Sequence, residues 1–149
     1  MFQYCLLDVF FPQFPIHPAA AGYVKGEKSP LKKNADKHAK FEYSAHFDFT
    51  DFFPSIVPYD LERALLRGMS LSKEDIALLN KICFIWNKTG YNLTIGAPIS
   101  PIISNIVMYE IDAKLSDIAQ EFRGVYTRYA DDIWFSANKS EYCTEFQAR

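Results

Sequence analysis

Cysteine is scarce here. Cys5, Cys83 and Cys143 are odd in number, scattered, and never at metal-ligand spacing. That argues against a disulfide framework and for a reducing cytosol. Long apolar runs are missing too, and none approaches the roughly 20 residues a spanning helix needs. The apolar opening has no basic residue before it and is interrupted by Asp8 and Pro12, so no signal peptide is expected. Charge of one sign is also lacking. A formal net charge of -2 excludes a histone-like polycation, although a local basic patch still permits nucleic-acid binding. No internal repeat or low-complexity tract appears.

What is present describes a folded chain. Of 149 residues, 49% are apolar and 23% charged, enough apolar material to offset the entropy of ordering. Aromatic residues reach 16%, with 13 Phe and 9 Tyr, so rings crowd a core or line a groove.

Punctuation along the chain sets the expected elements. The opening stretch reads as the end of a helix, after which Pro12, Pro15 and Pro18 force an extended path. Between 25 and 40, Lys25, Lys28, Lys32, Lys33, Lys37 and Lys40 stand against Glu27 and Asp36. This is either a solvated loop or a phosphate-contacting patch. His46 to Thr50 alternates as a strand, with Phe47 and Phe49 on one side and His46, Asp48 and Thr50 on the other. A short helix capped near Asp60 carries Leu61, Leu65 and Leu66. A second starts at Ser72, and its face of Ile76, Leu79, Cys83 and Trp86 reads as core, with Gly90 as the stop. Ser100-Pro101 reads as an N-cap with proline at the first helical position. A long helix bearing Ile103, Val107, Ile111, Leu115 and Ile118 then runs to about Phe122. Val125 to Tyr129 and Ile133 to Ser136 read as strands separated by Ala130-Asp131-Asp132.

That last tripeptide breaks a local rule. Tight hairpin turns favour Gly or Asn, and neither is present. Two adjacent carboxylates also repel. Taken alone they read as a surface turn; taken with Asp48 they read as chemistry. If the Asp48 strand lies beside the hairpin, three carboxylates converge at one sheet edge, a cluster suited to Mg²⁺. Two such ions about 4 Å apart serve phosphoryl or nucleotidyl transfer.

The order of motifs is that of a known family. Phe47-Asp48-Phe49-Thr50-Asp51-Phe52-Phe53-Pro54-Ser55-Ile56 resembles motif A of retron-type bacterial reverse transcriptases. Gly96-Ala97-Pro98-Ile99-Ser100-Pro101 with Ser104-Asn105 resembles their motif B, and Tyr126-Thr127-Arg128-Tyr129-Ala130-Asp131-Asp132 their motif C. Gly22-Tyr23-Val24-Lys25-Gly26, with Asn34-Ala35 and His38, is similar to the fingers motif before motif A. The resemblance covers about residues 13 to 137.

It implies an α+β right-hand polymerase palm, an antiparallel sheet with packed helices, plus part of the fingers. Residues 1–45 would be fingers and 46–149 palm. It implies an RNA-directed DNA polymerase adding dNTPs to a primer 3′-hydroxyl with two Mg²⁺ ions, Mn²⁺ being the alternative. Asp48, Asp131 and Asp132 become the catalytic residues, and with the carbonyl of Phe49 the metal ligands. Asp51, Phe52, Phe53, Gly96, Ala97 and Pro98 become the nucleotide site. Phe53 falls at the steric gate against a 2′-hydroxyl, although its own reading is core. Lys25, Lys28, Lys32, Lys33, Ser100 and Tyr129 become nucleic-acid contacts. His38 is divided between a structural hydrogen bond and a substrate contact. The implied partners are an RNA template, a DNA or RNA primer, a structured non-coding RNA and an effector protein of a phage-defence system, in a bacterial cytoplasm without membrane attachment. A defence polymerase working without template, an RNA-dependent RNA polymerase and a non-catalytic nucleic-acid-binding fragment are the alternatives.

The pattern is not followed throughout. Ile95 and Ile99 stand where the family often has Gln and Thr, and Glu27-Lys28 replaces an arginine after the fingers glycine. The first fingers segments, motif D and the thumb are expected to lie outside these 149 residues.

Overall fold

The computed structural model describes residues 2–24, 26, 28–88 and 90–149. Lys25, expected as a phosphate contact, lies outside the described residues. The chain opens with α1 (Phe2–Cys5), a π-helical turn (Leu6–Phe10) and a 3₁₀ turn (Phe11–Gln13). Then come α2 (Pro30–His38), β1 (Tyr43–Asp48), α3 (Phe52–Ser55), α4 (Pro58–Leu65), α5 (Lys73–Cys83), β2 (Phe84–Asn87) and β3 (Gly90–Leu93). The order closes with α6 (Ser100–Val107), α7 (Tyr109–Glu121), β4 (Val125–Tyr129), β5 (Asp132–Ala137) and α8 (Ser140–Gln147). Helices and antiparallel sheets together give the expected α+β class. No described helix is long and apolar enough to cross a membrane. All three cysteines are free, and burial pushes the Cys83 thiol up to about 12.

Two compact units form, one from residues 1–16 and Asp51–Val107, the other from His17–Thr50 and Met108–Arg149. The second holds an antiparallel sheet ordered β1-β5-β4. Cross-strand partners point to the same side, so the register sorts the sheet into two faces. Phe47 opposite Ile133, and Tyr126 opposite Phe135, belong to the inner face. That face packs with Ala119, Phe122 and Phe146 into one core. Phe135 is fully buried and stacks on Phe146 at 4.1 Å between centroids. A ring sealed in this way contributes roughly 1.5–3 kcal/mol. Ser44, His46 and Asp48 with their partners Ser136, Trp134 and Asp132 form the other face. The alternation expected for the Asp48 strand therefore holds, and its aromatic side is the buried one.

The first unit is built around α4 and α6, with Leu61, Leu65, Ile99 and Ile103 all buried. One helix start follows its sequence signal and another shifts. Ser72 Oγ accepts the Asp75 amide at 3.1 Å while Asp75 Oδ2 accepts the Ser72 amide at 3.2 Å, a reciprocal cap. The Ser72 hydroxyl, donating to Asp75 Oδ2 at 2.7 Å, and after it the Ser72 amide hold the Asp75 carboxyl below its ordinary value. Asp60 Oδ2 accepts the Val57 amide, but α4 begins at Pro58, ahead of the expected cap.

Four expectations fail. The helix from Ser72 ends at Cys83, and Trp86 lies on β2, 66% exposed. The aromatic and β-branched run Phe84-Ile85-Trp86 pairs with β3 instead. Gly90 is accordingly no helix stop: at φ +140° it starts β3, its amide held by Asn87 Oδ1. The long helix expected from Ser100 to Phe122 is two helices, broken at Met108 with ψ -6°. Asp132 belongs to β5 and leaves only Ala130-Asp131 in the turn.

Candidate active site

The outer face of the three-stranded sheet carries the candidate carboxylates. Asp48 ends β1 directly opposite Asp132, which begins β5. Opposed like charges destabilise a strand pair, and no basic side chain of Lys or Arg type occurs on β1 or β5 to offset it. His46 gives a partial answer: its Nε2 donates to Asp132 Oδ1 at 2.6 Å while its ring stacks on Trp134 at 4.3 Å. The Phe49 amide donates to the Asp131 carbonyl at 3.3 Å, tying the end of β1 to the turn between β4 and β5. Asp48 is exposed, Asp131 and Asp132 are half-buried, and all three are open to solvent on this unit. Among the described residues, no three His, Cys, Asp or Glu side chains draw close enough to hold a metal ion.

The turn between β4 and β5 is held from both sides. Ala130 sits at φ +58°, a left-handed conformation costing an L-residue roughly 1–2 kcal/mol. On the core side, Arg128 is fully buried with Asp112 of α7. Arg128 Nε and Nη2 donate to Asp112 Oδ1 and Oδ2, both at 2.8 Å, and Nη1 donates to the Ala130 carbonyl at 2.8 Å. Tyr126 adds its hydroxyl to Asp112 Oδ1 at 2.7 Å, and burial, foremost, raises the phenol's pKa. Along the edge of β4, Arg128 N donates to Ala19 O and Ala21 N to Arg128 O. A Cβ on the next residue, Gly22, would come within 2.8 Å of the Ala130 amide. That close approach, rather than a turn, requires glycine there.

Sequence reading missed this lock. Its signal was a buried-strand arginine two residues before the turn and an aspartate on a helix otherwise presenting Ile111, Leu115 and Ile118. Tyr23 of the fingers motif also lies beside this turn. Its ring lies 6.3 Å from that of Tyr129, and its hydroxyl is pushed up by burial and by the charge of Asp131.

His38 has a structural hydrogen-bonding role. From α2 its Nδ1 meets Ser136 Oγ at 2.8 Å and its Nε2 meets Thr127 Oγ1 at 2.7 Å, both hydroxyl residues fully buried. Burial, and secondarily Lys37, lowers its pKa. Lys28, Lys32 and Lys33 are exposed on or before α2.

The remaining motif residues lie in the other unit. Asp51 stands at φ +52° before α3 and its carbonyl accepts the Ser55 amide at 2.8 Å. Phe52 is buried, and half-buried Phe53 meets it edge-on at 5.3 Å. Gly96 turns the motif B loop at φ +85°, with Ala97 half-buried and Pro98 exposed. Ser100 is buried at the start of α6, its hydroxyl donating to the Thr94 carbonyl at 2.6 Å.

Comparison with known proteins agrees with the motifs. Residues 5–147 match the reverse transcriptase (RNA-dependent DNA polymerase) family. The chain is 39% identical over 150 residues to the retron Ec73 reverse transcriptase of Escherichia coli, covering 93% of this chain and 46% of that protein. It is 37% identical over 142 residues to the E. coli retron Ec83 reverse transcriptase, covering 91% and 45%. To the retron Mx162 reverse transcriptase of Myxococcus xanthus it is 32% identical over 153 residues, covering 93% and 31%. The chain thus spans less than half the length of each of these relatives. Its fold is similar to that of a Candida tropicalis telomerase solved in the apo form and truncated from its C-terminal domain. The TM-score is 0.50 at 19% identity, over 79% of this chain and 28% of that one. With motifs A, B and C in order and a family match over nearly its whole length, this chain belongs to the reverse transcriptase family.

Proposed function

We propose that the chain carries the nucleotidyl-transfer centre of a retron-type RNA-directed DNA polymerase. One observation carries the reading: Asp48 and Asp132 oppose each other on the outer face of the sheet, beside the turn that bears Asp131. A family member that places two like charges in register gains nothing structural from them; a divalent cation gives them a purpose.

The donor set is all oxygen, from carboxylates open to solvent, which fits Mg²⁺ better than a softer ion. Asp48, Asp131 and the Phe49 carbonyl would hold two such ions, with Asp132 completing the negative cluster and His46 fixing its carboxylate. Mn²⁺ would substitute. When bound, the ions lower the pKa of the primer 3′-hydroxyl and neutralise the leaving pyrophosphate. Backbone amides at Asp51 and Phe52 would take the triphosphate, Phe53 would exclude a ribose 2′-hydroxyl, and the Gly96-Ala97-Pro98 loop would meet the base pair. Lys28, Lys32 and Lys33, with Lys25, would contact phosphates, and Tyr129 the strand, whereas Ser100, expected as a strand contact, is buried with its hydroxyl on the Thr94 carbonyl. In family terms residues 1–45 serve as fingers and 46–149 as palm. The partners are an RNA template, a primer and dNTPs. Likeness to retron enzymes supports a cognate structured RNA, an effector protein and a bacterial cytoplasmic setting.

Primer extension on an RNA template, with the full-length polypeptide bearing this segment, tests the reading. Asp131→Asn should lower kcat by about 10³-fold or more, since it removes a charge at the reacting centre. Unchanged extension would overturn the assignment.

A further inference from the structure

Asp131 follows a residue whose backbone is in an unfavourable region, and its side chain must nevertheless point one way. The carbonyl of Ala130 belongs to the same peptide plane as the Asp131 amide. Whatever fixes that carbonyl also fixes the direction in which the chain enters Asp131. Its hydrogen-bond partner is Arg128 Nη1, at 2.8 Å. The guanidinium cannot swing, because its Nε and Nη2 are engaged by both oxygens of Asp112 at 2.8 Å. Asp112 is itself held by Tyr126 at 2.7 Å. Nor can the Arg128 backbone slide, since Ala19 and Ala21 bond it on either side.

Stability alone does not account for such a pair. Fully buried ion pairs are commonly matched or bettered by apolar residues of similar size. A guanidinium offers something an apolar pair cannot, a rigid planar fork able to bind a carboxylate with one edge and a carbonyl with another. Lysine, a point charge on a flexible stem, can pair with Asp112 but cannot span both acceptors.

We propose that Arg128 and Asp112 are positioning residues for nucleotidyl transfer: the Asp112-anchored guanidinium holds the Ala130 carbonyl and so aims the Asp131 carboxylate. The inference rests on the proposed catalytic role of Asp131.

The test compares three variants of the full-length polypeptide: Arg128→Lys, the double replacement Arg128→Met with Asp112→Leu, and Asp131→Asn as reference. Circular dichroism and thermal unfolding report folding, and the apolar double variant carries the test if Arg128→Lys does not fold. Extension is measured against dNTP and against Mg²⁺. The expected result for either positioning variant is a fall in kcat of at least tenfold and a several-fold higher Mg²⁺ midpoint. KM for dNTP should change less than twofold, and excess Mg²⁺ should restore part of the rate. A merely structural role would move the unfolding midpoint and leave the Mg²⁺ midpoint in place. A folded double variant whose kcat and Mg²⁺ midpoint stay within twofold of the parent overturns the inference, provided Asp131→Asn is inactive. If Asp131→Asn is active, the reading beneath it fails instead.

Discussion

Two sets of carboxylates share one compact unit and live in opposite circumstances. Asp112 is fully buried, and Arg128 and Tyr126 together supply it with three donors. Asp48 and Asp132 sit on the outer face, set against each other, with His46 bonded to one of them. The saturated carboxylate belongs to the architecture. The opposed ones are in conflict with it, a conflict that the proposed metal site would relieve. Breaking the contrast should therefore move different quantities. Asp112→Ala leaves a guanidinium buried without its counter-charge and should cost about 3–5 kcal/mol, read from urea unfolding. Asp48→Asn removes a like-charge repulsion. It should leave stability unchanged or raise it by about 0.2–1 kcal/mol, while abolishing extension. Loss of stability in Asp48→Asn comparable to that in Asp112→Ala would erase the distinction.

A smaller effect probes the turn from its other side. Gly22 approaches the Ala130 amide so closely that a Cβ would stand 2.8 Å away, against backbone that cannot rotate aside. Gly22→Ala should cost about 1–3 kcal/mol, within the ordinary range for a strained substitution. Because the push falls on the residue before Asp131, extension should suffer more than the unfolding midpoint suggests. A variant of native stability and native rate would show that the edge segment gives way freely.

Where sequence was legible, one pattern spoke for one environment. Phe47 and Phe49 alternate with His46 and Asp48, and a half-buried strand is the only element that satisfies that spacing. Ser72 and Asp75 cap a helix by their own short-range bonds, independent of what lies around them. The failures came where local pattern served two masters. Ile76, Leu79, Cys83 and Trp86 fit a helical face, yet Trp86 is claimed by a strand pairing with Tyr91 that no periodicity foretells. Met108 breaks an apolar repeat that reads as continuous, at the boundary between the two units. The site divided similarly. Asp48, Asp131 and Asp132 were visible as motif residues, whereas the Arg128–Asp112 lock joins residues on different elements. Each looked ordinary alone, one within a strand and one on a helix. Only the fold shows that they meet.

The smallest expected effect concerns His38, the polar-face residue that is bonded rather than exposed to conflict. Burial among Ser136 and Thr127, with Lys37 nearby, holds its pKa below the ordinary value. The folded state therefore prefers the neutral ring. Below about pH 6.5, the unfolded histidine's value, the unfolded chain binds the proton more readily than the folded one. Stability must then fall as pH drops through that value, and the loss levels off below the folded pKa. Urea midpoints at pH 7.5 and 5.5 check this when the parent is compared with His38→Gln, which lacks this imidazole. The parent should lose more stability on acidification than the variant. Equal losses would mean that the imidazole bonds on the polar face survive protonation, and that this half of the face, like the carboxylate half, tolerates a change of charge.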